Sequence, residues 1–203
     1  MLSIYDIKPR FQALLRPLTQ RLAAAGVTAN AVTLTAMFIS VAIGLWLSMA
    51  QPAPVAFLVL PVWLFLRMAL NAIDGMLARE HGQQSTLGAY LNELTDVISD
   101  AALYLPFAFV SPFGALGVGL VIWLSAVSEM AGALGPMVGA SRRYDGPVGK
   151  SDRAFVFGAL GLCLGSAGSL PAWLGWLMPL MALGICLNIF NRVRAGLAEV
   201  AAR

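Results

Sequence analysis

Asp74, Glu93, Asp96 and Asp100 fall within one stretch, NAIDGMLAREHGQQSTLGAYLNELTDVISD (Asn71 to Asp100), with long apolar runs on both sides. A carboxylate at membrane depth is costly unless it has a partner or a function. Asn71 and Asp74 are three apart, and Asn92 and Asp96 four apart, so each pair projects from one face of a helix. Oxygen donors converging from two helices suit a hard divalent cation such as Mg2+ or Mn2+, which retains water and binds substrate phosphates. No set of thiolates or imidazoles competes, since His81 is the single histidine and reads as a solvated loop residue. Gly75, Ala78 and Gly88 lack bulk near this face and leave room for a ligand at the backbone. Small residues also serve simply to pack helices in a membrane.

The elements that must hold these residues are membrane helices. The 203-residue chain is 59% hydrophobic and 11% charged, with a mean hydropathy of +0.79, whereas soluble domains carry about a quarter charged residues. At roughly 20 apolar residues per span, six spans are expected, near 31–50, 54–78, 88–110, 114–139, 154–168 and 171–191. The expected fold is all-α: a polytopic membrane protein of six transmembrane helices preceded by an interfacial amphipathic helix. It forms one domain over 1–203, with 1–28 as interfacial helix and lead-in and 29–203 as the bundle. The breaks between spans begin at Gln51-Pro52 and end at Gly168 to Pro171. Basic residues gather at the N-terminus, at Arg79, at Arg142, Arg143, Lys150 and Arg153, and at Arg192, Arg194 and Arg203, while the alternate connections carry none. The positive-inside rule places both termini and the even-numbered connections in the cytoplasm. Ahead of the first span, Ile7, Phe11, Leu14, Leu15, Leu18 and Leu22 recur at helical spacing with Lys8, Arg10, Arg16 and Arg21 on other faces, the pattern of a helix in the interface plane. That interleaving leaves no continuous apolar segment of the signal-peptide kind, so the N-terminus is expected to stay on the mature protein. Cys163 and Cys186 sit in apolar runs and read as small core residues.

Spans two and three form an antiparallel pair, so their residues meet at equal depth. If Asn71 faces Asp96, the indices at each level sum to about 167, which matches Asp74 with Glu93, Gly75 with Asn92 and Arg67 with Asp100. At about 1.5 Å per residue, Asp96 lies roughly 12 Å and Asp100 roughly 18 Å in from Gly88. Arg67 and Asp100 are therefore expected to form a buried structural ion pair below the site. Glu129, in span four, reads as a hydrogen-bonded structural or pocket residue. Arg192 and Arg194 read as the flank of the last span.

The order Asn71-x2-Asp74-Gly75-x2-Ala78-Arg79-x8-Gly88-x3-Asn92-x3-Asp96 resembles the signature D-x2-D-G-x2-A-R-x8-G-x3-D-x3-D of the CDP-alcohol phosphotransferase (CDP-alcohol phosphatidyltransferase) family. The match holds in length, in both glycines and in Ala-Arg, and departs at two acids, replaced by Asn71 and Asn92. Gly26 to Thr35 (GVTANAVTLT) is similar to the segment opening the family's first span, and Gly146 to Arg153 (GPVGKSDR) to its basic motif before span five. The asparagine-bearing arrangement resembles a divergent bacterial branch of the family.

The resemblance implies an enzyme of phospholipid biosynthesis in a bacterial inner membrane, working at the cytoplasmic leaflet. Its implied partners are CDP-diacylglycerol or a related CDP-lipid, a small alcohol acceptor or its phosphorylated form, membrane lipids and a second copy in a homodimer, with no nucleic acid. It implies one or two Mg2+ or Mn2+ ions held by Asn71, Asp74, Asn92, Glu93 and Asp96, with Asp96 also the catalytic base. Glu93, adjacent to Asn92, is the candidate to replace the missing ligand, the alternative being a partner elsewhere. Substrate contacts are implied for Gly75, Ala78, Arg79, Gly88, Lys150 and Arg153. A catalytically weak lipid- or nucleotide-binding scaffold and a cation or proton transporter remain as alternatives.

Overall fold

The computed structural model describes residues 4–50 and 52–202, with side chains from Arg10 onward. The side chains of Ile7 and Lys8, and Gln51 with its share of the first break, lie outside the described residues. Helices α1 (Ile4–Ala24), α2 (Ala29–Ala50), α3 (Val59–Glu80), α4 (Thr86–Tyr104), α5 (Gly114–Ala133), α6 (Lys150–Ala167) and α7 (Leu177–Ala201) follow in order, with no strand among the described residues. Single 3₁₀ turns at Pro54–Leu58, Leu105–Phe109, Gly135–Val138 and Ala172–Trp176 complete the connections. Three of these turns carry proline near their start, where the missing N–H has no helical partner to lose.

Among the described residues four segments are long and apolar enough to cross a membrane: Ala29–Ala50, Pro54–Glu80, Gly114–Ala133 and Ala172–Ala201. The six expected segments are all helical, but α4 and α6 fall short of the others in apolar character. The physical reason lies in the charges they carry: Glu93, Asp96 and Asp100 in α4, and Lys150, Asp152 and Arg153 in the first turn of α6. The last helix also runs ten residues beyond the expected end of its span at 191, to Ala201.

Side chains such as Phe38, Met49, Val62, Leu116, Trp123, Phe155 and Leu180 are exposed on the outer faces. The main core lies inside, where Leu60, Leu103, Tyr104, Phe107, Val118, Phe157 and Ile185 are fully buried. Tyr104 stacks on Phe157 with ring centroids 3.9 Å apart. A smaller cluster, Ala29, Val32, Ile73, Met76 and Leu77, joins α2 to α3, with Leu15 and Leu22 of α1 packed against it. Phe11 meets Phe65 edge-on, whereas Leu14 and Leu18 point outward. The amphipathic face of α1 is therefore divided between α3 and its surroundings.

The antiparallel pair expected of α3 and α4 needs correction. They are joined by a short loop, but their backbones scarcely approach; α4 packs along α2, and α2 also packs on α3. Gly44 explains the preference, because a Cβ there would lie 2.1 Å from the Ala102 carbonyl oxygen. Such close approach of two helices is what a small residue permits in a membrane bundle. With α2 filling that role, polar side chains of α3 and α4 face each other across a gap, and this gap becomes the site.

Candidate active site

A cleft of about 810 Å³ opens at the end of the bundle where α3 and α4 are joined. Its walls come from Asn30 and Thr33 of α2, Asp74, Gly75, Ala78 and Arg79 of α3, Gly88, Ala89, Asn92 and Glu93 of α4, and Arg142 from the connection between α5 and α6. The joining loop also shapes the rim. Gln83 accepts a hydrogen bond from the Ala29 N–H at 2.7 Å, satisfying a free donor at the start of α2. Ser85 caps α4 by accepting from the Gly88 N–H at 2.9 Å.

Asp74 is 6% exposed on the cleft wall, and its Oδ2 accepts from the Thr33 hydroxyl at 2.7 Å. The neighbouring cations Arg67 and Lys150 pair with Asp96 instead. A buried carboxylate with no cation beside it carries an uncompensated desolvation cost. Asp96, by contrast, accepts from Arg67 at 3.1 Å and from Asn71 Nδ2 at 3.3 Å, and it pairs with Lys150. The Asn71 amide turns its nitrogen to Asp96, leaving its carbonyl oxygen available. One turn deeper, Arg67 also donates to Asp100, and both side chains are nearly inaccessible. Antiparallel register thus brings Arg67 to Asp100 and Asn71 to Asp96; Asp74 and Glu93 both line the cleft.

Oxygen donors for a hard cation line the cleft at the Asp74 carboxylate and the Asn92 amide, whereas Asn71 sits on Asp96 and does not line it. The set is sparser than a ring of acids: among the described residues no three histidine, cysteine or acidic side chains cluster closely enough to hold a metal. These donors are of the oxygen type that a hard divalent cation takes.

A family model for CDP-alcohol phosphatidyltransferase matches residues 26–190, which span the cleft and its motif. The chain belongs to the CDP-alcohol phosphatidyltransferase family. It is 46% identical over 197 residues to the inner membrane protein YnbA of Escherichia coli (strain K12), covering 96% of both chains. An uncharacterized protein of Aquifex aeolicus (strain VF5) is 33% identical over 112 residues, covering 55% of this chain and 50% of that one. The fold is also that of Mycobacterium tuberculosis phosphatidylinositol phosphate synthase (PgsA1). The crystal structure of that protein with CDP-DAG bound matches with a TM-score of 0.71 and 22% identity, over 91% of this chain and 92% of the other. The same enzyme in complex with manganese and citrate matches with a TM-score of 0.73 and 22% identity, over 90% and 88%.

Several sequence-based site expectations are corrected by the geometry. Arg153 does not reach the cleft: it is fully buried, donating to Glu129 at 2.8 Å and to the Val148 carbonyl at 3.0 Å. Glu93 lines the cleft, where Arg142 comes down from the α5–α6 connection and pairs with it. Gly75 lines the cleft, and the Arg79 guanidinium lies over it, within 2.9 Å of where a Cβ would be. Gly88 likewise admits Asn30, whose Oδ1 is 2.9 Å from the corresponding position. Ala78 and Asn92 line the cleft, whereas Lys150 does not line it and pairs with Asp96. Arg192 is no flank: it is 2% exposed, donating to the Ser128 carbonyl and reaching Glu129. The helix simply continues past its apolar segment and presents Asn188, Arg192 and Gly196 on one buried face. His81 is exposed at the end of α3.

Thr33, Asn30 and Gln83 were missed as site residues. For Asn30 and Thr33 the similarity of Gly26 to Thr35 to a family segment was the available signal, and nothing within that segment singles out Thr33; Gln83 lies outside it. Arg142 owes its position to a pinned connection. Gly146 lies against Asn188, whose amide donates to the Pro147 carbonyl at 3.0 Å, and Arg143 joins Asp145 and Glu199 at 2.8 Å each. Outside the apolar helices, that Arg143 pair holds the Asp145 carboxyl below the usual carboxylate range.

Proposed function

We propose that this chain is a divalent-metal-dependent transferase. It moves a phosphatidyl or similar phospholipid group from a CDP-linked lipid to an alcohol acceptor and releases CMP. The observation that carries the reading is Asp74: a buried carboxylate in the family motif, on the cleft wall, without a cationic partner. When bound, Mg2+ or Mn2+ would supply charge neutralisation for the pyrophosphate and the departing nucleotide. Asp74, with the amide oxygen of Asn92, would hold it.

The remaining chemistry belongs to the chain's own groups. The acceptor oxygen bonds to the lipid-side phosphorus as the bond from that phosphorus to the CMP oxygen breaks, and the acceptor proton passes to Asp96 as general base. Arg67 and Asn71 orient Asp96 from below, while Lys150, with a side chain 29% exposed, is the partner free to swing from Asp96 to a phosphate. Arg79, exposed over Gly75, is a second cation for the nucleotide-lipid phosphates.

The charge pattern and apolar helices support six spans with α1 in the interface, both termini cytoplasmic, and a cleft open to the cytoplasmic leaflet of a bacterial inner membrane. Residues 29–203 then act as one catalytic bundle with 1–28 as its lead-in. Membership in the family supports a homodimer. The test is CMP release by purified protein given CDP-diacylglycerol, Mn2+ or Mg2+, and a panel of alcohols. Metal- and alcohol-dependent CMP formation is expected. Metal-dependent lipid binding without turnover would favour the scaffold reading instead.

A further inference from the structure

Three arginines converge on one carboxylate beside the cleft. Glu129 of α5 is 7% exposed. Its Oε1 accepts from Arg153 at 2.8 Å and Arg192 at 3.5 Å, and its Oε2 from Arg142 at 3.5 Å. Arg153 and Arg192 are almost wholly inaccessible, whereas Arg142 reaches the cleft wall. Guanidinium groups gathered around one point form the kind of nest that binds a phosphate group. Here a protein carboxylate stands at that point. The Nε donors of Arg153 and Arg192 find no acceptor.

The surrounding cations are each paired as well. Arg142, Arg143, Lys150, Arg153 and Arg192 are matched by Glu93, Asp96, Glu129, Asp145 and Glu199, each cation paired within this set. Among the described residues this leaves Arg79 as the cleft-lining cation without an ion pair. A phosphate on the acceptor would either sit against the Glu129 charge or have to displace a buried, triply bonded carboxylate.

We propose that Glu129 is a built-in occupant of this arginine nest and makes the site select an acceptor alcohol that carries no phosphate. The proposal rests on the phosphatidyl-transfer reading above for the word acceptor, and on the nest itself for the exclusion of phosphate. Like-charge juxtaposition in a desolvated site costs enough to lower use of a phosphorylated acceptor by about 100-fold or more.

Two measurements test it. In the first, wild-type protein receives CDP-diacylglycerol, Mn2+ and matched pairs of alcohols with their phosphate monoesters, glycerol with glycerol 3-phosphate among them. CMP release should run with a free alcohol and fall by about 100-fold or more with its phosphate; equal or faster release with the phosphate overturns the proposal. In the second, thermal unfolding in detergent is followed as inorganic phosphate is added to wild type and to Glu129→Gln. The variant should be stabilised saturably, because phosphate takes the vacated position, and wild type should not. Stabilisation of wild type to the same extent, or of neither protein, overturns the proposal. If Glu129→Gln folds only in phosphate, that dependence is the predicted rescue, and if it folds under neither condition the proposal fails. No CMP release with any acceptor would count against the transfer reading, while the phosphate titration would still decide what the nest holds.

Discussion

Replacing Arg67 should destabilise the bundle more than replacing its deeper partner, because Arg67 serves two carboxylates. It donates to Asp100 and, at 3.1 Å, to Asp96, and its side chain is 5% exposed. Arg67→Ala strands Asp100, whose side chain is 6% exposed, and removes one of the cations on Asp96. Leaving one member of a buried pair uncompensated costs about 3–5 kcal/mol. Asp100→Ala is gentler, since the guanidinium keeps Asp96, and its cost should fall near the 1–3 kcal/mol of an unmet buried hydrogen-bonding group. The double change removes both charges, and Asp96 retains Lys150 and Asn71, so it should cost less than Arg67→Ala alone. Unfolding free energies of the purified variants in mixed micelles give the comparison directly. A double variant as unstable as the sum of the singles, or Asp100→Ala worse than Arg67→Ala, would refute the reasoning.

Asp96→Asn should lower turnover by about two to four orders of magnitude, the usual contribution of a general base, with CDP-lipid binding reduced much less; near-normal CMP formation would remove Asp96 from that role. Asn92→Asp adds a carboxylate to the cleft wall near Asp74 and should tighten Mn2+ binding, read by isothermal titration; unchanged affinity would mean that residue 92 does not face the ion. The Asp145 carboxyl is held below its ordinary pKa by Arg143, so the pair's contribution to stability is complete above the unfolded-state value and is lost as pH falls through the lowered folded value. Asp145→Asn should therefore flatten the fall in melting temperature on the acid side, and an unaltered pH profile would show that the pair does not contribute.

Helix positions were readable because apolar runs and charged breaks alternate so plainly, and the contacts of Arg67 with Asp100 and of Asn71 with Asp96 were legible from antiparallel counting across one short loop. The same counting failed to show that α2 lies against α4, because the deciding feature is a missing side chain at Gly44 meeting the Ala102 carbonyl. Thr33 on Asp74, Arg142 on Glu93 and Arg192 on Glu129 join residues far apart in the chain. No local spacing encodes such pairs. Arg153 was misread for a related reason: its motif sits at the mouth of a helix, yet its side chain turns inward to a carboxylate on α5.

The central claim, that Asp74 anchors a divalent ion for a CDP-linked lipid, is tested most directly by titrating CDP-diacylglycerol onto wild type and Asp74→Asn with and without Mn2+. Mn2+ should tighten lipid binding to wild type and have no effect on the variant, whose melting temperature without metal should be unchanged or higher, since a buried unpaired charge has been removed. An equal gain from Mn2+ in both proteins would contradict the account.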